Sequence, residues 1–207
     1  DIPANDPNYT VTESITLPVD VEAFTAFAHA HFLGKEFRLS AKLPTGQTQD
    51  LLWIKRWNFA WQTLYNYQDR VALPKGTTLT AKIVWDNTAA NNNNQFSPPR
   101  RVKWGEGSTD EMGSLVLDVV AAREEDFPAL TAALRTHRQM GDASTLLSAD
   151  KALENGLAGL EGPEKKLAQT VLTMFDKDKD GKLSPQELEA ARTALRAQGF
   201  DTGLRRT

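Results

Sequence analysis

The sequence predicts an α+β protein, in which a jelly-roll-like antiparallel β-sandwich is followed by a small helical domain. Apolar and polar residues alternate up to about residue 121, and the apolar spacing becomes helical after about residue 122. Many successive strands without intervening helices favour an antiparallel sandwich. We therefore predict a β domain over residues 1–121, a helical domain over residues 122–207, and a junction near residues 121–126.

Strands are predicted where short alternating segments are bounded by glycine, proline and asparagine. These segments are TVTESITLPV, FRLSAKL, LLWIKRWNFAWQ, TTLTAKIVW and GSLVLDVVA, at residues 10–19, 37–43, 51–62, 77–85 and 113–121. In the third segment Trp53, Trp57, Phe59 and Trp61 have the same parity. On one continuous strand they would share a face, so we predict that they form part of the sandwich core.

The second half of the chain contains four apolar stripes with helical spacing, which predict four short helices. The stripes are Phe127, Leu130 and Leu134; Leu153, Leu157 and Leu160; Leu167, Val171, Met174 and Phe175; and Leu188, Ala191 and Leu195.

The segment DKDKDGKLSPQE, residues 176–187, lies between the last two predicted helices and fills every position of an EF-hand calcium loop. Gly181 stands where the loop must turn sharply. Calcium prefers six to eight oxygen ligands, and this loop concentrates four carboxylates. The predicted ligands are Asp176, Asp178, Asp180, the backbone carbonyl of Lys182, Ser184 acting through water, and Glu187.

Residues 127–160 are predicted to form a first, degenerate hand that pairs with the calcium-binding one. Aligning TLLSADKALE with GKLSPQELEA places Met140 at loop position 1 and Lys151 at position 12, where neither supplies a carboxylate. The hypothesis requires helices over residues 127–140 and 149–160. With one loaded site and only three methionines, we expect a structural role for calcium rather than a regulatory one.

The composition excludes several classes of site and partner. The chain has no cysteine, so disulfides and thiolate metal sites are impossible. The net charge is −3 and no basic excess marks either half, so we expect no nucleic-acid partner. No apolar run is long enough for a membrane span, so we expect no membrane partner. The start at Asp1 suggests a processed form or a piece of a longer protein.

Two of the three histidines, His29 and His31, lie in the segment AHAHFLGK. On an extended strand their side chains point to the same side, and such a pair can bind one metal ion. Most pairs of this kind are ordinary polar residues, so a third ligand decides between the two interpretations.

The first 120 or so residues resemble the C-terminal half of the copper type II, ascorbate-dependent monooxygenases, and bacterial relatives of that family most of all. The matching segments are HAHFLGK (29–35), WNFAWQ (57–62), WDNTAANNN (85–93) and WGEGSTDEMGSL (104–115). The resemblance implies that His29, His31 and Met112 hold one copper ion, at which O₂ reacts with a small-molecule substrate while a reductant such as ascorbate supplies electrons. Asp110 and Glu111 are interpreted as supporting or solvent-facing residues rather than ligands.

The chain also departs from this family. Family enzymes carry a second copper on three histidines of an N-terminal half, which this chain does not contain; the remaining histidine, His137, is interpreted as a residue at the edge of a helical core. Residues that clasp a peptide substrate are replaced by Phe27, Ser114 and Val116. We therefore predict no peptidyl-glycine substrate, and an apolar surround if Phe27 and Val116 face the site.

Three functions remain open from the sequence. The chain is the O₂-activating copper domain of a monooxygenase with an N-terminal domain elsewhere in a longer parent chain, or a non-catalytic copper-binding or redox module stabilised by calcium, or a structural domain with a vestigial site. Both the copper chemistry and the calcium loop suit an extracytoplasmic protein, periplasmic or secreted.

Overall fold

The computed structural model describes residues 1–147, 153–198 and 200, and the chain divides into two compact units, Asp1–Leu130 and Thr131–Thr207. The first unit, here called the β unit, contains seven strands and the second, the helical unit, contains most of the helical structure. The strands are β1 (Tyr9–Thr16), β2 (Val21–Ala30), β3 (Gly34–Lys42), β4 (Thr48–Ile54), β5 (Tyr65–Leu73), β6 (Thr78–Trp85) and β7 (Gly113–Ala121).

The strands form two antiparallel sheets, one with the order β1-β6-β3-β4 and one with the order β5-β2-β7. Together with the helices, these sheets confirm the predicted α+β class. Residues from both sheets share two apolar clusters, one around Leu39, Leu73 and Val21 and one around Phe37 and Ala30. The alternation that predicted the strands therefore corresponds to an inner face on each sheet.

The aromatic strand predicted over residues 51–62 is wrong. Strand β4 ends at Ile54, and the chain then turns, with the backbone N–H of Trp57 donating to the carbonyl of Lys35. Trp57 enters the core at 9 % exposure, whereas Trp53 and Trp61 are 44 % and 69 % exposed. Parity places residues on one face only while the strand continues, and this strand stops after Ile54.

Strand β5 lies outside the predicted set because its centre is polar: Gln68, Asp69 and Arg70 are all exposed. The edge position of β5 in its sheet tolerates such residues. By contrast, β6 and β7 agree with the predicted segments to within one residue.

A short 3₁₀ turn (Glu124–Asp126) precedes three α-helices among the described residues: α1 (Phe127–Leu147), α2 (Gly162–Phe175) and α3 (Pro185–Ala197). Helix α1 continues through most of the loop predicted for the degenerate hand, and residues 153–159 form turns instead of a helix. The described part of residues 127–160 is therefore not the helix–loop–helix that we predicted. Residues 148–152 of that prediction lie outside the described residues.

The helical unit has its own apolar core, in which Leu147, Val171 and Leu195 are fully buried. His137 lies on α1 with its ring 4.7 Å from that of Phe200, an arrangement that fits a residue at the edge of a core. Over the described ranges, none of the helices has the length and apolar character needed to cross a membrane.

Candidate metal sites

His29 lies near the end of β2, the middle strand of the three-stranded sheet, and His31 directly follows the last residue of that strand. Their ring centroids are 5.2 Å apart and their planes are nearly perpendicular. His29 is half-buried and His31 is 5 % exposed. Ala28 and Ala30, on the opposite side of the strand, pack into the core, so the two imidazoles share one face as predicted.

Each of these imidazoles has its Nδ1 atom next to a hydrogen-bond acceptor. Nδ1 of His29 lies 2.6 Å from Oε1 of Gln62, and Nδ1 of His31 lies 3.0 Å from the carbonyl oxygen of Asp110. The amide group of Gln62 is oriented by its own donation to the carbonyl of Phe59. An acceptor beside Nδ1 favours the tautomer with its proton on Nδ1, and in that tautomer the lone pair of each Nε2 is available to a metal ion.

The carboxylate of Glu111 joins the end of β2 to the segment that precedes β7. Its Oε1 accepts the backbone N–H groups of His31 and Met112, and its Oε2 accepts that of Leu33 at 2.8 Å. The regular β2–β7 ladder stops at the pair Ala30 and Gly113. Beyond that pair, Glu111 replaces the ladder as the connection between the two chain segments.

This connection brings the backbone of Met112 close to that of His31, because the backbone nitrogens of both residues are bound to the same oxygen atom. The last pair of the ladder is Ala30 and Gly113, and extending this register by one position places Met112 opposite His31. Residues opposite each other in an antiparallel pair project from the same face. The backbone positions of His29, His31 and Met112, the three residues predicted to bind copper, are therefore close together.

Glu111 is 3 % exposed, so the solvent-facing interpretation of this residue is wrong. Burial raises the pKa of its carboxyl group above the ordinary value, and the three backbone N–H groups offset part of this rise. The sequence alone did not indicate that Glu111 accepts hydrogen bonds from the end of β2 and from the segment before β7. A single buried carboxylate produces no periodic pattern in a sequence.

The loop between β4 and β5, residues 55–64, supports the histidines from a second side. Besides Gln62, the indole Nε1–H of Trp57 donates to the carbonyl of His31 at 2.9 Å. The ring of Phe59 meets that of His31 edge-on at 6.0 Å. All three residues fall within the strand predicted over residues 51–62, and the sequence indicated no role for Gln62 at the site.

Two glycines allow the close approaches around this site. A side chain at Gly113, next to Met112, would collide with the ring of Trp85, and one at Gly34 would collide with the ring of Trp57. On the outer face of the sheet, Phe27 is opposite Val116, directly beside the pair of His29 and Ser114. The residues that replace the peptide-clasping set therefore lie on the same sheet face as His29.

In the helical unit, the carboxylates of Asp176, Asp178 and Glu187 come together, each offering an oxygen within 4.8 Å of the others. The loop turns at Lys179 and Gly181, both with positive φ, and Asp176 accepts the backbone N–H of each. The carboxylate of Asp180 accepts the N–H of Lys182 instead and is not part of that group.

Glu187 has two roles in this loop. It completes a capping box with Ser184 at the start of α3, and its Oε1 accepts the N–H of Lys177 from the start of the loop. These bonds, from Lys177 first and then from Ser184, lower the pKa of Glu187 to about 2. The lowered pKa means that this contribution to stability is present above the ordinary carboxyl range and is lost as the pH falls toward 2.

The neighbouring carboxylate of Asp178 shows the opposite shift. The backbone N–H of Asp180 lowers the pKa of Asp178, but desolvation and the charges of Asp180 and Glu187 raise it by more, so that the net shift is upward. A divalent cation bound between such carboxylates would reduce the repulsion between their like charges.

No protein-family model matches this chain, and no curated protein matches it.

Proposed function

We propose that the β unit holds one copper ion through His29, His31 and Met112 and activates O₂ there for hydroxylation of a C–H bond. The observation that carries the proposal is the arrangement at the β2–β7 end: two imidazoles whose Nδ1 atoms each lie beside an acceptor, and a methionine whose backbone is tied to His31 through Glu111. Two imidazoles and a thioether form a soft donor set, which suits Cu(I) and not Mg²⁺ or Ca²⁺.

Bound copper would supply the one-electron chemistry that O₂ requires, with a reductant such as ascorbate providing the electrons. One oxygen atom would enter the substrate and the other would leave as water. The residues of the chain orient and enclose the site: Gln62 and the carbonyl of Asp110 hold the Nδ1 protons, and Glu111 fixes the two strand ends. Phe27 and Val116 supply an apolar surface beside His29.

Oxygen consumption tests this activity. In copper-loaded protein given ascorbate, we expect O₂ uptake that is lost in the double variant His29→Ala, His31→Ala and kept in His137→Ala. His137 is the matched control because its ring packs on Phe200, in the helical unit. Equal O₂ uptake in the wild type and the double variant would contradict the proposal.

The second candidate function is a non-catalytic copper-binding or redox module. It is favoured by the chain's own histidine count, because His137 alone remains for any second copper site and lies in the helical unit. Tight copper binding by the wild-type β unit without any O₂ uptake would support this candidate.

We further propose that the loop 176–187 binds calcium. The supporting observation is the convergence of three carboxylates in a loop that already turns at Gly181. The proposed ligands are Asp176, Asp178, Asp180, the carbonyl of Lys182, Ser184 and Glu187, and the role is structural, since Glu187 also completes the capping box at the start of α3.

The shared apolar clusters of the two sheets support a sandwich as the architecture of the β unit. A structural calcium site and copper-dependent oxidation both suit a compartment outside the cytoplasm, where calcium is plentiful. We therefore propose a periplasmic or secreted location.

A further inference from the structure

A second feature of the β unit is a cleft of about 570 Å³ beside the β4–β5 loop. Its volume is in the range of sites that hold small organic molecules. The lining residues come from the end of β4, the loop, the start of β5 and the asparagine-rich segment before β7: Ile54, Arg56, Trp57, Asn58, Trp61, Tyr65 and Asn93.

The cleft has one positive charge and no negative one among its lining residues. Within the described residues, the guanidinium of Arg56 makes no ion pair and no hydrogen bond. Arg38, on the neighbouring strand β3, is by contrast held by two bonds to Asp50. A guanidinium with its donors unused can bind a carboxylate through two parallel hydrogen bonds.

Trp61 presents a large apolar ring to this cleft, with 69 % of the residue exposed. Trp53, which is also exposed, has its ring covered by Arg38 at 4.7 Å and Lys55 at 4.4 Å. Across the described part of the chain, the ring of Trp61 has no aromatic or cationic partner of this kind. The indole is therefore available to stack against the ring of a ligand.

Trp57 and two amide groups complete the cleft. The indole of Trp57 is buried and fixed by its bond to the carbonyl of His31, so it forms a rigid wall. Asn58 uses its Oδ1 to accept the N–H of Ala60, and among the described residues its NH₂ group has no acceptor. Over the same residues the side chain of Asn93 makes no hydrogen bond. The cleft is therefore lined both by hydrogen-bond donors and by apolar rings.

We propose that this cleft binds a small aromatic carboxylate. The ring lies against the indole of Trp61, the carboxylate pairs with Arg56, and the amide groups donate to the remaining oxygen lone pairs. The inference does not depend on copper, although the cleft adjoins the His31 backbone through Trp57.

The test uses benzoate as the probe and follows the indole N–H resonances of the whole ¹⁵N-labelled chain of 207 residues by NMR. We expect a saturable shift of the Trp61 resonance, weakened at least about tenfold in Arg56→Gln and changed little in Arg38→Gln. Trp61→Ala removes the reporter, so its effect is measured by calorimetry, where binding should fall by a similar factor. Far-UV circular dichroism confirms that each variant is folded.

Two further probes, one neutral and one non-aromatic, complete the design. Benzamide has the ring without the charge, and cyclohexanecarboxylate has the charge without the aromatic ring; both should bind at least about tenfold more weakly than benzoate. The proposal is overturned if benzoate causes no saturable shift, if either analogue binds as well as benzoate, or if Arg38→Gln weakens binding as much as Arg56→Gln.

Discussion

Replacing Glu111 with alanine is expected to lower the free energy of unfolding of the β unit by about 3–5 kcal/mol. The substitution leaves the backbone N–H groups of His31, Leu33 and Met112 without their acceptor at a position where the side chain is 3 % exposed. Each buried donor left unpaired costs about 1–3 kcal/mol, and water entering the vacated space recovers part of the total. The result would make Glu111 the main connection at this end of the β2–β7 pair.

Denaturant unfolding followed by tryptophan fluorescence measures this effect in the β unit alone, because all five tryptophans lie between residues 53 and 104. Glu111→Gln should fall between wild type and Glu111→Ala, since an amide keeps one oxygen acceptor and loses the other. Glu106→Ala, an exposed position in the same loop, should change stability by less than about 0.5 kcal/mol. Similar stabilities of Glu111→Ala and Glu106→Ala would refute the structural role assigned to Glu111.

Calcium is expected to raise the melting temperature of the helical unit by roughly 10–20 °C when it is present at about a hundred times its dissociation constant. An ion that binds only the folded loop contributes about 2.7 kcal/mol under that condition. In its absence, the like charges of the Asp176, Asp178 and Glu187 carboxylates remain close together. Far-UV circular dichroism, which is dominated by the helices, follows this transition.

The matched variants for this measurement are Glu187→Gln and Glu189→Gln. Glutamine at position 187 can keep the capping box with Ser184, but it removes the carboxylate that binds calcium through two oxygens. We expect Glu187→Gln to lose most of the calcium-induced rise in melting temperature. Glu189→Gln breaks an exposed ion pair with Arg196 and should keep that rise. Equal calcium responses in the two variants would mean that calcium acts elsewhere.

Local pattern predicted those parts of the fold in which one strand or helix continues through the whole pattern. Strand β7 was predictable because its alternation is uninterrupted from Gly113 to Ala121. The segment 51–62 was not, since its parity persists through a turn in which Trp57 pairs with Lys35, twenty-two residues earlier in the chain. Likewise, the stripe at residues 153–160 has helical spacing, but its described residues form turns that pack on the calcium loop through the bond from Leu183 to Leu153. Tertiary contacts decided both cases.

The candidate ligands were accessible from the sequence, whereas their supports were not. The spacing of His29 and His31 indicates a shared face, and the resemblance adds Met112. Gln62 and Glu111 are single polar residues far from the histidines in sequence, and only the folded chain brings them to Nδ1 of His29 and to the backbone of His31. A lone polar residue carries no periodic signal, so its partner is set by topology alone.

X-ray absorption at the copper edge of the Cu(I)-loaded protein tests the central claim most directly, namely that the sulfur of Met112 and the imidazoles of His29 and His31 bind the same ion. We predict sulfur and imidazole scattering in the wild type, loss of the sulfur signal alone in Met112→Leu, and an unchanged spectrum in Met174→Leu, where the methionine lies on α2. A wild-type spectrum without sulfur, or a sulfur signal that persists in Met112→Leu, would contradict the proposed site.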